Sequence, residues 1–225
     1  MIRTYNSITV VSPALTGNPG DDLIACSEIV FLEKYLNIPI FWYPLNPNTV
    51  DPRDEVSDFI LSKKTKTLSS EVIVIGGGAL ISNFRNPFHS HLARCFYIAF
   101  FSVLRSKSYF VYGVSANPNL NFLSRSLAKW IITRSQKTYL RDNASFDFVN
   151  SRLSQDNVFR CHDSVLDPSF RETIRNFNAG SLIPKSCKSS KQILFIPTLD
   201  SRSEHQTIDI TLRFYQKLKV FAVKN

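Results

Sequence analysis

The sequence predicts an α/β fold, in which a mostly parallel β-sheet carries helices on both of its faces. Strand-like apolar runs alternate along the chain with helical patterns of 10 to 16 residues, which is typical of βαβ units. Some of these runs are almost continuously apolar, as VIVI at 72–75 is, and parallel strands buried on both faces have this character. The chain has 225 residues and a hydrophobic content of 44%, which is enough to bury a core.

The elements follow one another in a regular order. Their apolar and β-branched content predicts strands at 7–12, 38–44, 71–76, 108–114, 137–141, 157–162 and 192–197. Helical spacing or capping residues predict helices at 21–36, 91–104, 120–134, 143–153 and 205–219. Asp21 and Asp22 complement the dipole of the first helix and are its candidate caps. The helix at 91–104 is apolar nearly all round, which predicts burial between the sheet and other protein, or contact with a membrane surface.

A polar segment divides the chain into two parts. Residues 178–191, NAGSLIPKSCKSSK, have the composition of a linker between a first domain at 1–177 and the residues 192–225. The last part holds too few elements to form a core of its own, so we predict a truncated start of a second domain. We also predict self-association and poor solubility unless its apolar side chains dock elsewhere. These side chains are Leu194, Phe195, Ile196 and Phe214.

The charge is concentrated in one block of the chain. The net charge is +9, from 27 Lys and Arg against 18 Asp and Glu. Between Val72 and Arg141 there are nine cationic residues and no acid. This block indicates an anionic partner, such as a phosphorylated metabolite or an anionic membrane surface, unless it is only the exposed helix face of a basic protein. Nucleic acid is the least favoured partner, because no recognisable reading motif accompanies the cations.

The sequence lacks the features of secreted, membrane-spanning and metal-binding proteins. The first residues, MIRTYNSITVV, are expected to lead into a strand and not to form a secretory segment. The longest apolar stretch, Cys95–Leu104, is about half the ~20 residues that cross a bilayer. We therefore expect a cytoplasmic protein that can be peripheral at the inner face of the membrane. The four cysteines lie far apart and are interpreted as reduced thiols, without a metal site or a cofactor. His89 and His91 are interpreted as loop residues.

The most distinctive short segment is EVIVIGGGALISN at 71–83, where three glycines follow a predicted strand. Such glycines let backbone N–H groups approach a phosphate or a carboxylate. The dinucleotide-binding pattern fails, because its third glycine would fall at Ile81 and no acid follows about 20 residues later. Gly76, Gly77 and Gly78 are therefore either ligand contacts or a tight turn before the next helix.

A second glycine-containing turn, in SPALTGNPGDDLI at 12–24, also follows a strand and opens a helix. The carboxyl ends of parallel strands meet at one edge of a sheet, so we expect this turn to lie beside the three glycines. Asp21 and Asp22 are interpreted first as capping residues. A metal site is the weaker alternative, since adjacent acids at a helix start point apart.

Two further segments place polar residues after strands. In YLRDNASFDFV at 139–149, Arg141 can bind a carboxylate or a phosphate through two parallel hydrogen bonds, or else pair with Asp142 or another acid. Ser145 lies in the same segment, at the start of the next helix. In RCHDSVLDPSF, the acid Asp163 follows another strand.

Together these motifs resemble the polysaccharide pyruvyltransferase family. The resemblance rests on five segments in register, GNPGDDLI at 17–24, VIVIGGGALIS at 72–82, YGVSANPN at 112–119, YLRDNAS at 139–145 and CHDSVLDP at 161–168. It implies two Rossmann-like domains that face each other across a cleft, as in GT-B glycosyltransferases. It also implies transfer of the enolpyruvyl unit of phosphoenolpyruvate onto two hydroxyls of a sugar, which leaves a pyruvate ketal. The acceptors implied are cytoplasmic precursors of cell-wall, capsular or exopolysaccharides, linked to a lipid or a nucleotide.

The resemblance also implies a set of substrate-binding residues on the first domain. Ketal formation needs a proton for the methylene carbon of phosphoenolpyruvate, and cations for its phosphate and carboxylate. Arg141 is the matching cation, and the glycine segments form the sugar-facing rim. Phosphoenolpyruvate is the donor substrate, and no separate cofactor is implied. The substrate-binding candidates are Gly17, Asn18, Gly20, Asp21, Gly76, Gly77, Gly78, Arg141, Asp142, Ser145 and Asp163.

One departure from the family pattern leaves the catalytic residue unassigned. The family carries an Arg-x-His motif in its second domain, which supplies a donor-binding arginine and the acid. The segment SRSEH at 201–205 has a different spacing, so neither role is transferred to Arg202 or His205. Two alternatives therefore stand beside the pyruvyltransferase. One is an inactive sugar-binding or scaffold protein, and the other is a GT-B glycosyltransferase that uses a nucleotide sugar.

Overall fold

The structure is a computed structural model that describes residues 5–47, 49, 55–83, 90–153 and 156–161. Within these ranges the chain forms strands and helices in near-perfect alternation. The strands are β1 Ile8–Ser12, β2 Ile40–Pro44, β3 Val72–Ile81, β4 Ser108–Ala116, β5 Thr138–Leu140 and β6 Val158–Arg160. The helices are α1 Pro19–Leu36, α2 Glu55–Ser62, α3 His91–Leu104, α4 Phe122–Arg134 and α5 Asn143–Leu153.

All the described strands pair in parallel in one sheet, whose order is β2-β1-β3-β4-β5-β6. The predicted parallel α/β fold is therefore confirmed. After β1 the chain moves to one side of the sheet, and after β3 it moves to the other side. Such a reversal leaves a crevice at the carboxyl ends of the two central strands, where α/β sheets place their ligands.

Alternate residues of β3 supply the two faces of the sheet with separate cores. Ile73 and Ile75 belong to a buried cluster with residues of α3, α4 and α5. Val72 and Val74 belong to a second cluster with residues of α1 and α2, around the fully buried Trp42. Continuous apolar character in the strand sequences thus follows from burial on both faces.

The triple glycine departs from the predicted boundaries. β3 does not end at Gly76, as predicted, but continues through Gly77 and Gly78 to Ile81, so of the two interpretations of the glycines the tight turn before the next helix is wrong. Gly77 and Gly78 have φ angles of +69° and +84°, in the region that favours glycine. The register with β4 shifts between Gly78 and Ile81, as at a β-bulge. A strand can therefore pass through these residues because they are glycines.

The helix starts correct two interpretations, and the structure adds one helix. Asn18, and not Asp21 or Asp22, is the N-cap of α1, since its side chain accepts a hydrogen bond from the Gly20 amide. Pro19 favours this boundary, because proline suits the first position of a helix. His91 is not a loop residue but the first residue of α3, after the cap Ser90. A helix that no sequence pattern predicted, α2, follows β2.

The chain divides into two compact units, Met1–Pro184 and Lys185–Asn225. The predicted linker and the predicted start of a second domain at 192–225 lie outside the described residues. Asp163 lies outside them as well. Among the described helices, none has the length and apolar character needed to cross a membrane.

Candidate active site at the carboxyl edge of the sheet

One face of α1 packs directly on the triple glycine. Residues Asp21, Ile24 and Glu28 recur at helical spacing and therefore share this face. A Cβ atom placed on Gly78 would lie 3.2 Å from Asp21 Oδ1, and one placed on Gly77 would lie 2.5 Å from Ile24 Cγ2. The glycines thus allow the helix to approach β3 closely, with carboxylates at both ends of the contact.

Glu28 is the more deeply placed of the two acids, and its side chain is completely buried. A Cβ atom on Gly76 would collide with Glu28 Oε2, and one on Gly113 of β4 would lie 2.9 Å from Oε1. Gly76 and Gly113 therefore leave the space that this carboxylate occupies. Sequence patterns did not single out Glu28, although it lies two helical turns after Asp21.

Asp21 lies at the carboxyl edge of the sheet, near His91 and Arg141 from other elements. Burial raises the pKa of the Asp21 carboxyl, against the lowering effects of a 3.0 Å hydrogen bond from Asn18 Nδ2 and of the charges of His91 and Arg141. The three residues come from the start of α1, the start of α3 and the end of β5. The site is thus assembled where three strand-to-helix connections meet.

His91 has an environment that favours its neutral form. Burial lowers the pKa of His91, the nearby Asp21 carboxylate acts in the opposite direction, and Arg94 adds to the lowering. A neutral imidazole can accept a proton at neutral pH. Sequence reasoning missed this residue, although its position could be predicted: the helix that follows β3 must begin at the carboxyl edge, beside the other motifs.

Arg141 is positioned by a short hydrogen-bonded network. Its Nε atom donates to Ser115 Oγ at 2.6 Å, and Ser115 Oγ donates to Asp142 Oδ2 at 2.7 Å. Asp142 Oδ1 accepts a hydrogen bond from the Ser145 amide at 2.7 Å, which makes Asp142 the cap of α5. The Ser145 hydroxyl donates to Asp142 and accepts from the Ala116 amide. The network ties the end of β5 to the end of β4 and limits the movement of the guanidinium group.

The two acids of the site differ in their protonation behaviour. The pKa of Asp142 is lowered, because burial, which alone would raise it, is outweighed by the hydrogen bonds from Ser115 and Ser145 and by the charge of Arg141. Asp142 is therefore a structural anion, whereas Asp21 has a raised pKa and can take up a proton more readily. Environments that separate pKa values in this way are typical of acid–base sites.

The loop before α1 is held by the second acid of the GDD segment. Asp22 Oδ1 accepts a hydrogen bond from the Leu15 amide at 2.5 Å, and Leu15 is a buried residue with a φ angle of +60°. A left-handed conformation is unusual for leucine and is retained where surrounding contacts enforce it. Asp22 thus helps to fix the conformation of the loop between β1 and α1. Gly17, with a φ angle of +92°, lies exposed in this loop.

The predicted site residues are gathered at one edge of the sheet, with different environments. Gly17 and Asn18 precede α1, Gly20 and Asp21 lie in its first turn, and Gly78 of β3 lies beside Asp21. Arg141 reaches the same place from the end of β5. Ser145 is buried beneath the edge, so its observed contacts are those of a residue that positions Asp142. Asp163 lies outside the described residues.

In the described part of the chain, no group of three or more His, Cys, Asp or Glu side chains has the arrangement of a metal site. Asp21 and Asp142 instead accept hydrogen bonds, and the charge of Arg141 acts on both of them. These residues can move protons and hold a small anion.

Comparison with known proteins agrees with the motifs. No curated protein matches the chain. A family model described as polysaccharide pyruvyl transferase matches residues 18–223, which is most of the sequence. The matched region contains the glycine segment of β3, the α1 face that packs on it and Arg141. The chain belongs to the polysaccharide pyruvyl transferase family.

Proposed function

We propose that this chain takes part in transfer of the pyruvyl group of phosphoenolpyruvate onto a sugar of a cell-wall, capsular or exopolysaccharide precursor. The observation that carries the proposal is that Asp21, which packs beside Gly78, lies within electrostatic reach of both His91 and Arg141 at the carboxyl edge of the sheet. This arrangement combines a cation for an anionic donor with a neutral histidine beside an acid. Membership of the family supports transferase chemistry on a polysaccharide precursor.

In this proposal Arg141 binds the donor. Phosphoenolpyruvate carries a phosphate and a carboxylate, and a guanidinium group matches either of them with two parallel hydrogen bonds. The Ser115 contact at Nε holds the plane of the guanidinium group. The acid-free block from Val72 to Arg141 adds a long-range attraction for the same anion.

The reaction requires proton transfers in both directions. A proton adds to the methylene carbon of the donor, and a sugar hydroxyl attacks the cationic carbon that results. Inorganic phosphate then leaves, and a second hydroxyl of the sugar closes the ketal. The sugar hydroxyls release two protons. One replaces the proton that the methylene carbon has taken up, and the other leaves with the phosphate. We assign the acceptance of a hydroxyl proton to His91, whose neutral form is favoured, with Asp21 stabilising the imidazolium that forms.

Binding and transfer test the proposal separately. Calorimetry with phosphoenolpyruvate is expected to show binding that R141Q weakens at least about tenfold, since a charge-assisted pair is lost. R160Q is the matched control, because Arg160 is an exposed cation that pairs with Asp147 at 3.1 Å on β6 and α5. Equal affinity of R141Q and the unsubstituted protein would refute the assignment of Arg141.

Transfer is measured by the release of inorganic phosphate and by the methyl signal of the pyruvate ketal in NMR. H91Q is expected to lower the rate about 100-fold or more, the contribution typical of a general base, while phosphoenolpyruvate binding is retained. Binding of phosphoenolpyruvate without ketal formation, in the presence of acceptor sugars, would instead support an inactive sugar-binding protein. Binding of a nucleotide sugar as donor, and not of phosphoenolpyruvate, would support a glycosyltransferase.

A further inference from the structure

The helix α3 turns its small residues toward the sheet and its large apolar residues toward solvent. Its buried side chains are Leu92, Ala93, Cys95, Ala99 and Ser102. The outward ones are 37% to 63% exposed and are Tyr97, Phe100, Phe101, Val103 and Leu104. Burial of aromatic side chains is among the largest favourable terms in folding, so a helix that leaves them exposed is not optimised for this core alone.

This apolar surface continues onto α4. The ring of Trp130 contacts Phe96 at 5.0 Å and Phe100 at 6.0 Å between ring centroids, which joins the two helices through an aromatic cluster. At the start of α4, Phe122 and Leu123 are 85% and 55% exposed. We call the exposed apolar side chains of α3 and α4 the α3–α4 surface. Large apolar side chains that remain exposed on adjacent helices mark docking sites.

The charges carried by α3, α4 and the residue that follows α3 are all of one sign. Arg105, Lys129 and Arg134 are exposed on or just after the two helices, and no acid occurs between Val72 and Arg141. An apolar helix face bordered by cations is typical of a segment that lies in the interface of an anionic bilayer. α3 has 14 residues, so it can lie on a bilayer but is too short to cross one.

The charge distribution also argues against a second copy of the chain as the partner that covers the α3–α4 surface. A two-fold dimer through the α3–α4 surface would bring its cations against the same cations of a second copy. Residues 185–225 have eight Lys and Arg against three Asp and Glu, so this part of the sequence is cationic as well. We propose that the α3–α4 surface docks the protein on an anionic lipid bilayer.

This docking has a consequence for the candidate site, which rests on the proposed function. His91 begins α3 and Leu104 ends it, and a helix of this length spans about 21 Å at 1.5 Å per residue. A bilayer in contact with α3 therefore lies within about one helix length of the crevice. That distance suits an acceptor sugar whose lipid anchor remains in the membrane.

Co-sedimentation with vesicles tests the docking without any catalytic readout. The full chain is expected to bind vesicles of phosphatidylcholine with phosphatidylglycerol, and to bind phosphatidylcholine alone at least about tenfold more weakly. F101S/L104S and R105E/K129E are each expected to lower the affinity for the anionic vesicles about tenfold or more. The matched control is Y35S/L36S, which removes two exposed apolar side chains of α1 on the other face of the sheet.

Fluorescence reports which part of the protein enters the lipid. The chain has two tryptophans, and Trp42 is fully buried. In a W42F variant, brominated phosphatidylglycerol is expected to quench Trp130. In a W130F variant, the same lipid is expected to leave Trp42 emission unchanged.

Three results would overturn the proposal. One is equal binding to neutral and anionic vesicles, and another is anionic binding that F101S/L104S leaves unchanged. The third is a dimer in sedimentation velocity that F101S/L104S dissociates, which would assign the α3–α4 surface to a second copy of the chain. Failure of phosphoenolpyruvate transfer would leave the vesicle results unaffected, so the two proposals fail separately.

Discussion

At the scale of single residues, the protonation of His91 depends on charges of both signs. The Asp21 carboxylate raises the pKa of His91 and the Arg94 guanidinium lowers it, on top of the lowering caused by burial. D21N removes a negative charge, so the pKa of His91 should fall further below its ordinary value. R94M removes a positive charge, so the same pKa should rise.

We expect the two substitutions to change the pKa of His91 in opposite directions. NMR titration of the His91 ring measures these changes without requiring activity. If His91 accepts a hydroxyl proton, the acidic limb of the pH profile of kcat/KM should follow the same two directions, since the neutral form is the active one. Shifts of both variants in one direction would contradict the electrostatic description.

A second prediction concerns the space that Gly76 leaves for Glu28. G76A would place a methyl group against Glu28 Oε2, and the φ angle of Gly76 is not positive, so the cost is one of space. We expect G76A to lower the free energy of unfolding by about 1–3 kcal/mol. In an E28A background the same substitution should cost much less, because the carboxylate is gone.

Urea denaturation of the four proteins in this double-mutant cycle measures the coupling energy between the two positions. Equal costs of G76A in both backgrounds would show that Gly76 is required for another reason. Such a result would mean that the Glu28 carboxylate is not the reason for a glycine at position 76.

At the scale of elements, two asparagine N-caps can be compared to distinguish an effect on stability from an effect on the site. Asn18 caps α1 through Gly20 and also donates to Asp21 Oδ2, whereas Asn121 caps α4 through Ser124 at 2.8 Å. N18A and N121A should each cost about 1 kcal/mol of stability, as the loss of an N-cap usually does.

The two variants should differ in their effect on the crevice. N18A also removes a hydrogen bond that lowers the pKa of Asp21, so that pKa should rise, and it should remain unchanged in N121A. NMR titration of the Asp21 carboxyl, together with thermal unfolding, distinguishes the two effects. Equal changes of the Asp21 pKa in both variants would mean that the cap acts only through the stability of the domain.

At the scale of the whole molecule, the net charge of +9 should act on the rate of ligand capture. An excess of cations attracts phosphoenolpyruvate over a distance, and salt screens this attraction beyond about 10 Å at 0.1 M ionic strength. We therefore predict that salt slows the association of phosphoenolpyruvate several-fold and changes its dissociation much less. Stopped-flow binding at several salt concentrations checks this, and a salt effect confined to dissociation would contradict it.

Much of the architecture was predictable because it depends on local patterns. The alternation of apolar runs and helical segments is repeated along the chain, and each element constrains its neighbours to a parallel sheet. The gathering of Asp21, Gly78 and Arg141 at one edge followed from the same pattern, because the carboxyl ends of parallel strands share an edge. The cap of α1 was misplaced by three or four residues, since the acids after Pro19 resemble caps themselves.

The sequence by itself determined the parallel α/β class, the edge of the sheet at which the motifs meet and the concentration of cations in one block. Only the tertiary structure decided that the triple glycine runs inside β3, that Glu28 is buried against Gly76 and Gly113, and that His91 lies beside Asp21. These features depend on how closely α1 and α3 approach the sheet. Contacts between residues 48 to 85 positions apart leave no periodic trace in the sequence, so packing alone reveals them.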